Sequence, residues 1–182
     1  LKDQKTLKIQ LENGLQAVLV SDPKAKQSAA ALTVMAGSWQ DPDEFPGMAH
    51  FLEHMLFLGT SEYPTESEFG RFIAEHGGQT NAFTHSDYTS YMFSVNQDGF
   101  KEGLSRFASF FKSPLFNPSG VGRELNAIDQ EFAGGFNHED IRKYHVLKDV
   151  ADPMHPLHRF QTGNSQSLAK ATEADLRKWF NE

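Results

Sequence analysis

His50-Phe51-Leu52-Glu53-His54 brings together the side chains in this sequence best suited to chemistry. The run lies inside an apolar stretch, from about Gly47 to Leu58, that reads as a helix stopped by Gly59. On a helix, His50 and His54 sit at i and i+4, so both imidazoles leave the same face one turn apart. That spacing lets two imidazoles share one tetrahedral metal ion. Glu53 occupies an adjoining part of the face. A carboxylate there can take a proton from a metal-bound water without itself binding the metal. The order H-x-x-E-H is the inverted form of the helical zinc motif.

A catalytic zinc site takes three protein ligands and leaves one position for water. The third ligand has to come from elsewhere in the chain. A helix expected from Ser119 to about Phe136 offers Glu124 and Glu131, seven residues apart and hence on one face. His138 and His145 continue the same series as weaker competitors. Spacing does not choose between the two glutamates.

The composition narrows the chemistry further. The 182 residues contain no cysteine, which excludes disulfide frameworks and thiolate zinc sites and leaves His, Asp and Glu as ligands. The formal charge of -7 argues against a nucleic-acid footprint, which needs a clustered basic surface. No apolar run approaches the ~20 residues needed to span a bilayer. The composition does not fix the compartment. The chain opens at Leu1 with no recognisable leader, so a processed or truncated N-terminus is expected. Sixteen Phe are expected mostly in the core, with some lining an apolar groove.

Several elements must position these residues. Leu7 to Leu11 alternates apolar and polar, and Asn13-Gly14 is a two-residue hairpin signal before a return strand from Leu15 to Val20. A third strand is expected from Ser28 to Met35, a short extended segment over Thr80 to Thr84, and a strand from Tyr88 to Val95. Thr65 and Glu68 have capping-box spacing for a helix ending near Glu75. Asp98 is expected to cap a helix with Leu104, Phe107, Ala108 and Phe111 on its inner face. Further helices are expected over Ile141 to Val150 and from the Thr172/Asp175 start near the C-terminus, with a loop between. The order lacks regular βαβ alternation. It predicts an α+β domain, a mainly antiparallel sheet packed against several helices.

The segment Pro46 to Thr60, which contains the motif, closely resembles the active-site helix of the insulinase/pitrilysin family of zinc metallopeptidases. The resemblance continues through Tyr63-Pro64, Glu75-His76-Gly77-Gly78, Asn81-Ala82-Phe83-Thr84, Arg106-Phe107-Ala108 and Pro114-Leu115-Phe116. It extends through Arg123 to Glu131, His155-Pro156 and Thr162-Gly163-Asn164. It is strongest to the long-chain branch of insulin-degrading enzyme, nardilysin and protease III. It implies an insulinase-type fold and a zinc endopeptidase acting on peptides or small proteins. It implies His50, His54 and Glu131 as the ligands of one Zn2+, Glu53 as the general base, and Glu124 as the acidic residue orienting the site. It also implies that Asn81, Ala82 and Phe83 receive substrate as an added strand. Two departures stand out. Leu52 replaces the cysteine of some animal members, and Phe132-Ala133-Gly134-Gly135 replaces a more polar run, with glycines expected to end or kink that helix. Family members of this branch have further domains. The chain therefore resembles the N-terminal catalytic domain of a longer protein, lacking its C-terminal portion, with the remaining domains as partners. A catalytically inactive peptide-binding or scaffold subunit of the same fold is the competing reading.

Overall fold

A computed structural model describes residues 3–182. Five strands and six helices follow the order β1 (Lys5–Gln10), β2 (Gln16–Ser21), β3 (Gln27–Val34), α1 (Met48–Leu56), α2 (Glu68–Glu75), β4 (Gln79–Thr84), β5 (Thr89–Asn96), α3 (Phe100–Phe110), α4 (Pro118–Gly135), α5 (Glu139–Asp149) and α6 (Glu173–Asn181). All strand pairing is antiparallel. β1 and β2 form a two-stranded ribbon, and a separate three-stranded sheet has the order β3-β5-β4. The α+β expectation holds.

The hairpin turn is longer than Asn13-Gly14 alone suggests. Gly14 N–H donates to the Leu11 carbonyl at 2.9 Å, and Leu11 N–H donates to Leu15 across the turn at 2.8 Å. Three residues therefore form the loop, with Gly14 at φ +87 where a side chain would be strained.

β5 is the middle strand, and its apolar side chains Tyr91, Phe93 and Val95 are buried. α1 packs against β4 and β5 through Met48, Phe51, Leu52, Met55 and Leu56, all buried. Removing one such side chain costs about 2–5 kcal/mol. α2 and α3 add Phe69, Phe72, Phe107 and Phe110, and rings meet edge-on, as in Phe69–Phe110 at 4.9 Å between centroids. Most of the phenylalanine content thus goes into one core around α1.

Three local expectations are corrected. Thr65 and Glu68 make no capping box; α2 begins at Glu68, whose carboxylate instead accepts from Arg106 Nε at 2.7 Å. A partly buried guanidinium competes successfully for that carboxylate. Asp98 does not cap α3, because a 3-10 turn over Gln97–Gly99 precedes the helix and the Asp98 carboxylate accepts from Gly99 N–H. The inner face of α3 is also rotated. Gly103, Phe107 and Phe110 are buried, while Leu104 is 40% exposed. The Thr172/Asp175 box at α6 does form, in both directions.

α4 carries the second half of the site. Asn117 caps it through its side chain, and Pro118 occupies the first turn. Gly120, Glu124, Ile128 and Glu131 share one side of the helix, and an added Cβ at Gly120 would strike Leu58 just beyond α1 at 2.5 Å. Ile128 is buried on this side. The helix continues through Gly134 to Gly135, so the glycines do not cut it short, although each costs about 1 kcal/mol relative to Ala.

Candidate metal centre

His50 and His54 leave α1 side by side, with Nε2 atoms 3.3 Å apart. Glu131 Oε2 on α4 lies 3.1 Å from His50 Nε2 and 3.5 Å from His54 Nε2. Zinc ligands sit about 2.0–2.1 Å from the ion, so the edges of its coordination tetrahedron measure about 3.3–3.4 Å. The three measured edges bracket that value. The residues present therefore fit a zinc ion with one face open. Between Glu124 and Glu131, it is Glu131 that reaches both imidazoles.

The outer nitrogens fix how the rings are presented. His50 Nδ1 is 2.7 Å from the Thr162 carbonyl oxygen, which can only accept, so Nδ1 carries the hydrogen. His54 Nδ1 is 3.0 Å from Glu124 Oε2, and the carboxylate accepts there. Both rings thus turn Nε2 toward Glu131, and both have an acceptor behind them that strengthens the imidazole as a ligand. His138 lines the same cleft but stands outside the cluster, and His145 stacks on Phe136 at 5.3 Å. Neither competes with Glu131.

Glu53 is only 8% exposed, and its Oε2 accepts from Thr84 Oγ1 at 2.6 Å. Burial raises its carboxyl above the usual carboxylate range, against the pull of Thr84 and the two imidazoles. Burial pulls the His50 imidazole down, but hydrogen bonds to Glu131 and Thr162 outweigh it and the net shift is upward. Glu131 is held below the usual range chiefly by its hydrogen bond with His50. The cluster thus pairs acceptors with protonatable rings, and a bound cation would displace the protons between them.

Three positioning contacts escaped the sequence reading. Asp41 is 4% exposed, and its two carboxylate oxygens accept from Gly47 N–H at 2.7 Å and Ala49 N–H at 2.8 Å. It caps the start of α1 from six residues upstream, outside the usual capping interval. Its burial pushes the carboxyl up to about 7, against the two N–H donors and Arg159. Gly47, at φ +96, touches Gly163 so closely that an added Cβ would overlap it. This approach lets the loop place the Thr162 carbonyl on His50. Thr84 was visible only as the end of a recognisable segment. No local signal ties any of the three to the histidines: the Thr162 and Thr84 contacts are long-range, and Asp41 reaches α1 from outside the usual capping interval.

Asn81, Ala82 and Phe83 lie on β4, which pairs only with β5 among the described residues and so presents a free edge. Ala82, Phe83 and Thr84 border a cleft of about 750 Å³ that also takes in His50, Glu53 and Glu131. Asn81 is not among the residues bordering this cleft and instead lines a depression on the sheet with Ala29 and Ala31.

A helix-borne His-His-Glu cluster beside a free strand edge, in an α+β frame, is the architecture of a metallopeptidase site. The profile of the insulinase family (peptidase family M16) matches residues 16–153. The chain is 43% identical over 160 residues to insulin-degrading enzyme from Mus musculus, covering 88% of this chain and 16% of that protein. It is 41% identical over 160 residues to the A-factor-processing enzyme of Saccharomyces cerevisiae, again over 88% of this chain and 16% of that protein. Its fold superposes on a crystal structure of pitrilysin with a TM-score of 0.94 at 31% identity, over 98% of this chain and 20% of that one. The chain belongs to the insulinase family of peptidases, peptidase family M16. It spans about a sixth of the length of these two curated relatives. None of its described helices is long and apolar enough to cross a membrane.

Proposed function

We propose that this chain is the zinc-binding catalytic domain of a longer endopeptidase that cleaves peptides or small proteins. The observation that carries the proposal is the convergence of His50 Nε2, His54 Nε2 and Glu131 Oε2 at the spacing a tetrahedral zinc ion requires. The named activities of the relatives, insulin degradation and A-factor processing, support a peptide substrate. Their greater length supports further domains as partners of this one.

A zinc ion held by His50, His54 and Glu131 would supply Lewis acidity toward the scissile carbonyl and the attacking water. The chain's own residues do the rest. Glu53, with one oxygen held by Thr84, takes the water proton on its other oxygen and later delivers it to the leaving amine. Burial raises its carboxyl above the usual carboxylate range, the direction a proton acceptor at this position needs. Glu124 and the Thr162 carbonyl hold the imidazoles in the ligating tautomer. The free edge of β4 pairs with the peptide main chain, so Asn81, Ala82 and Phe83 give affinity with little dependence on sequence.

The test is a peptide-mixture assay on the full-length protein, before and after chelation, with zinc added back. Cleavage that disappears on chelation, returns with zinc and is absent in Glu53→Gln is the expected result. Cleavage that survives either chelation or Glu53→Gln refutes the mechanism. The isolated 182-residue chain is expected to bind zinc while cleaving little, because the further domains that the relatives' length points to are expected to supply groups that hold substrate.

A further inference from the structure

We infer that Gln161 is a positioning residue, a latch that fastens the end of β4 and the base Glu53 to the loop behind His50. The inference rests on the peptidase reading and adds a residue that belongs neither to the zinc motif nor to the metal cluster.

Gln161 immediately precedes Thr162, whose carbonyl lies 2.7 Å from His50 Nδ1. Its side-chain Nε2 donates to Ser86 Oγ at 2.8 Å. Ser86 sits in the turn between β4 and β5, two residues after Thr84, and Thr84 Oγ1 donates to Glu53. α1 joins Glu53 back to His50 across three residues. The contacts therefore close a ring that runs from His50 through Thr162, Gln161, Ser86 and Thr84 to Glu53. Among the described residues, the Gln161–Ser86 bond is the only hydrogen bond between that turn and the loop carrying Thr162.

The setting keeps this bond closed. Ser86 is buried, and its hydroxyl has no other partner among the described residues. Opening the bond would strand that hydroxyl away from water, which costs more than an exposed bond would. The Gln161 amide is also held from its other side, where Oε1 accepts from the Tyr144 hydroxyl on α5 at 3.2 Å. One amide thus ties the β4–β5 turn and α5 to the loop that presents the Thr162 carbonyl. A peptide paired with β4 shares this frame, because β4 ends at Thr84. Without the latch, the strand end and Glu53 can shift together relative to the histidines. A misplacement of about 1 Å costs up to about 100-fold in rate. The pairing edge itself is untouched, so the loss falls on kcat rather than on KM.

The experiment uses the full-length protein with Gln161→Met, Ser86→Ala, the two combined, and Gln161→Glu. Methionine keeps an unbranched chain of similar length and removes both bonds. The Ser86 and Tyr144 hydroxyls can each donate, so a carboxylate at position 161 keeps both. On one peptide substrate, kcat is expected to fall about 10-fold in Gln161→Met and in Ser86→Ala, with KM within about threefold. The double variant should fall no further than the worse single one, and Gln161→Glu should recover most of the loss. Zinc affinity, from chelator competition, should stay within about threefold of wild type. Deuterium exchange read by mass spectrometry needs no turnover. Residues 84–88 and 160–163 should exchange about 3- to 10-fold faster in both single variants and return to the wild-type rate in Gln161→Glu. An unchanged kcat, a loss confined to KM, single losses that multiply in the double variant, or a zinc affinity that falls as far as kcat overturns the inference. If the wild type binds zinc and cleaves no peptide, the peptidase reading fails, and the joint exchange response of the two segments still decides the latch.

Discussion

Asp41 gives the sharpest quantitative prediction. Its carboxylate is buried and holds the first turn of α1 through Gly47 and Ala49, just ahead of His50. Burial raises its carboxyl from 3.8 to about 7. The folded state therefore binds this proton more tightly than the unfolded chain does. The stabilising contribution is complete below about pH 4 and is lost as pH rises to about 7. Each pH unit in that window is worth about 1.4 kcal/mol, so between about pH 5 and pH 8 the wild type loses roughly 3 kcal/mol through this group. Asp41→Asn removes the titration while keeping one acceptor oxygen. Its amide turns a donor toward the second N–H, and that lost bond costs about 1–3 kcal/mol against the ionised wild type. The variant's stability deficit should therefore be about 3 kcal/mol larger near pH 5 than near pH 8. Urea unfolding in chelator, followed by circular dichroism at both pH values, measures it. A deficit that stays constant within about 0.5 kcal/mol would refute the assignment of a raised proton affinity to this carboxyl.

Three further outcomes are expected. Glu131→Gln should weaken zinc binding more than Glu124→Gln, for which a 10- to 100-fold loss is expected because it supports a ligand without being one; chelator competition ranks them. Zinc affinity should fall about tenfold per pH unit once the pH drops below the raised value of His50, since that proton and the ion compete for Nε2; calorimetry across pH reads it. Lys148 is 5% exposed and makes no ion pair among the described residues; burial lowers its ammonium to about 8, so its stability cost eases as pH rises from about 8 toward 10.5. Lys148→Met should raise the midpoint of thermal unfolding at neutral pH by a few degrees, about 1–2 kcal/mol, and a lowered midpoint would show an unrecognised partner.

The sequence by itself determined the part of this site that local periodicity controls. A pitch of 3.6 residues puts His50 and His54 on one face whatever surrounds them, and the apolar run around them made α1 legible before any packing was known. The same holds for the alternating strands and the Thr172/Asp175 start of α6. Local signals failed where a tertiary partner outbid them. Glu68 left its capping box for Arg106, and α3 turned so that Phe110 rather than Leu104 met the core. Glu124 and Glu131 were equivalent by spacing; only the packing of α4 on α1, through Gly120 and Ile128, brings Glu131 within 3.1 Å of His50 and leaves Glu124 behind His54. The cap from Asp41, the Thr162 carbonyl and the Thr84 hydroxyl belong to the same class. The Thr162 and Thr84 contacts join residues distant in sequence, and the Asp41 cap spans six to eight residues outside any helical interval, so no periodicity encodes them and burial of a common core brings their ends together.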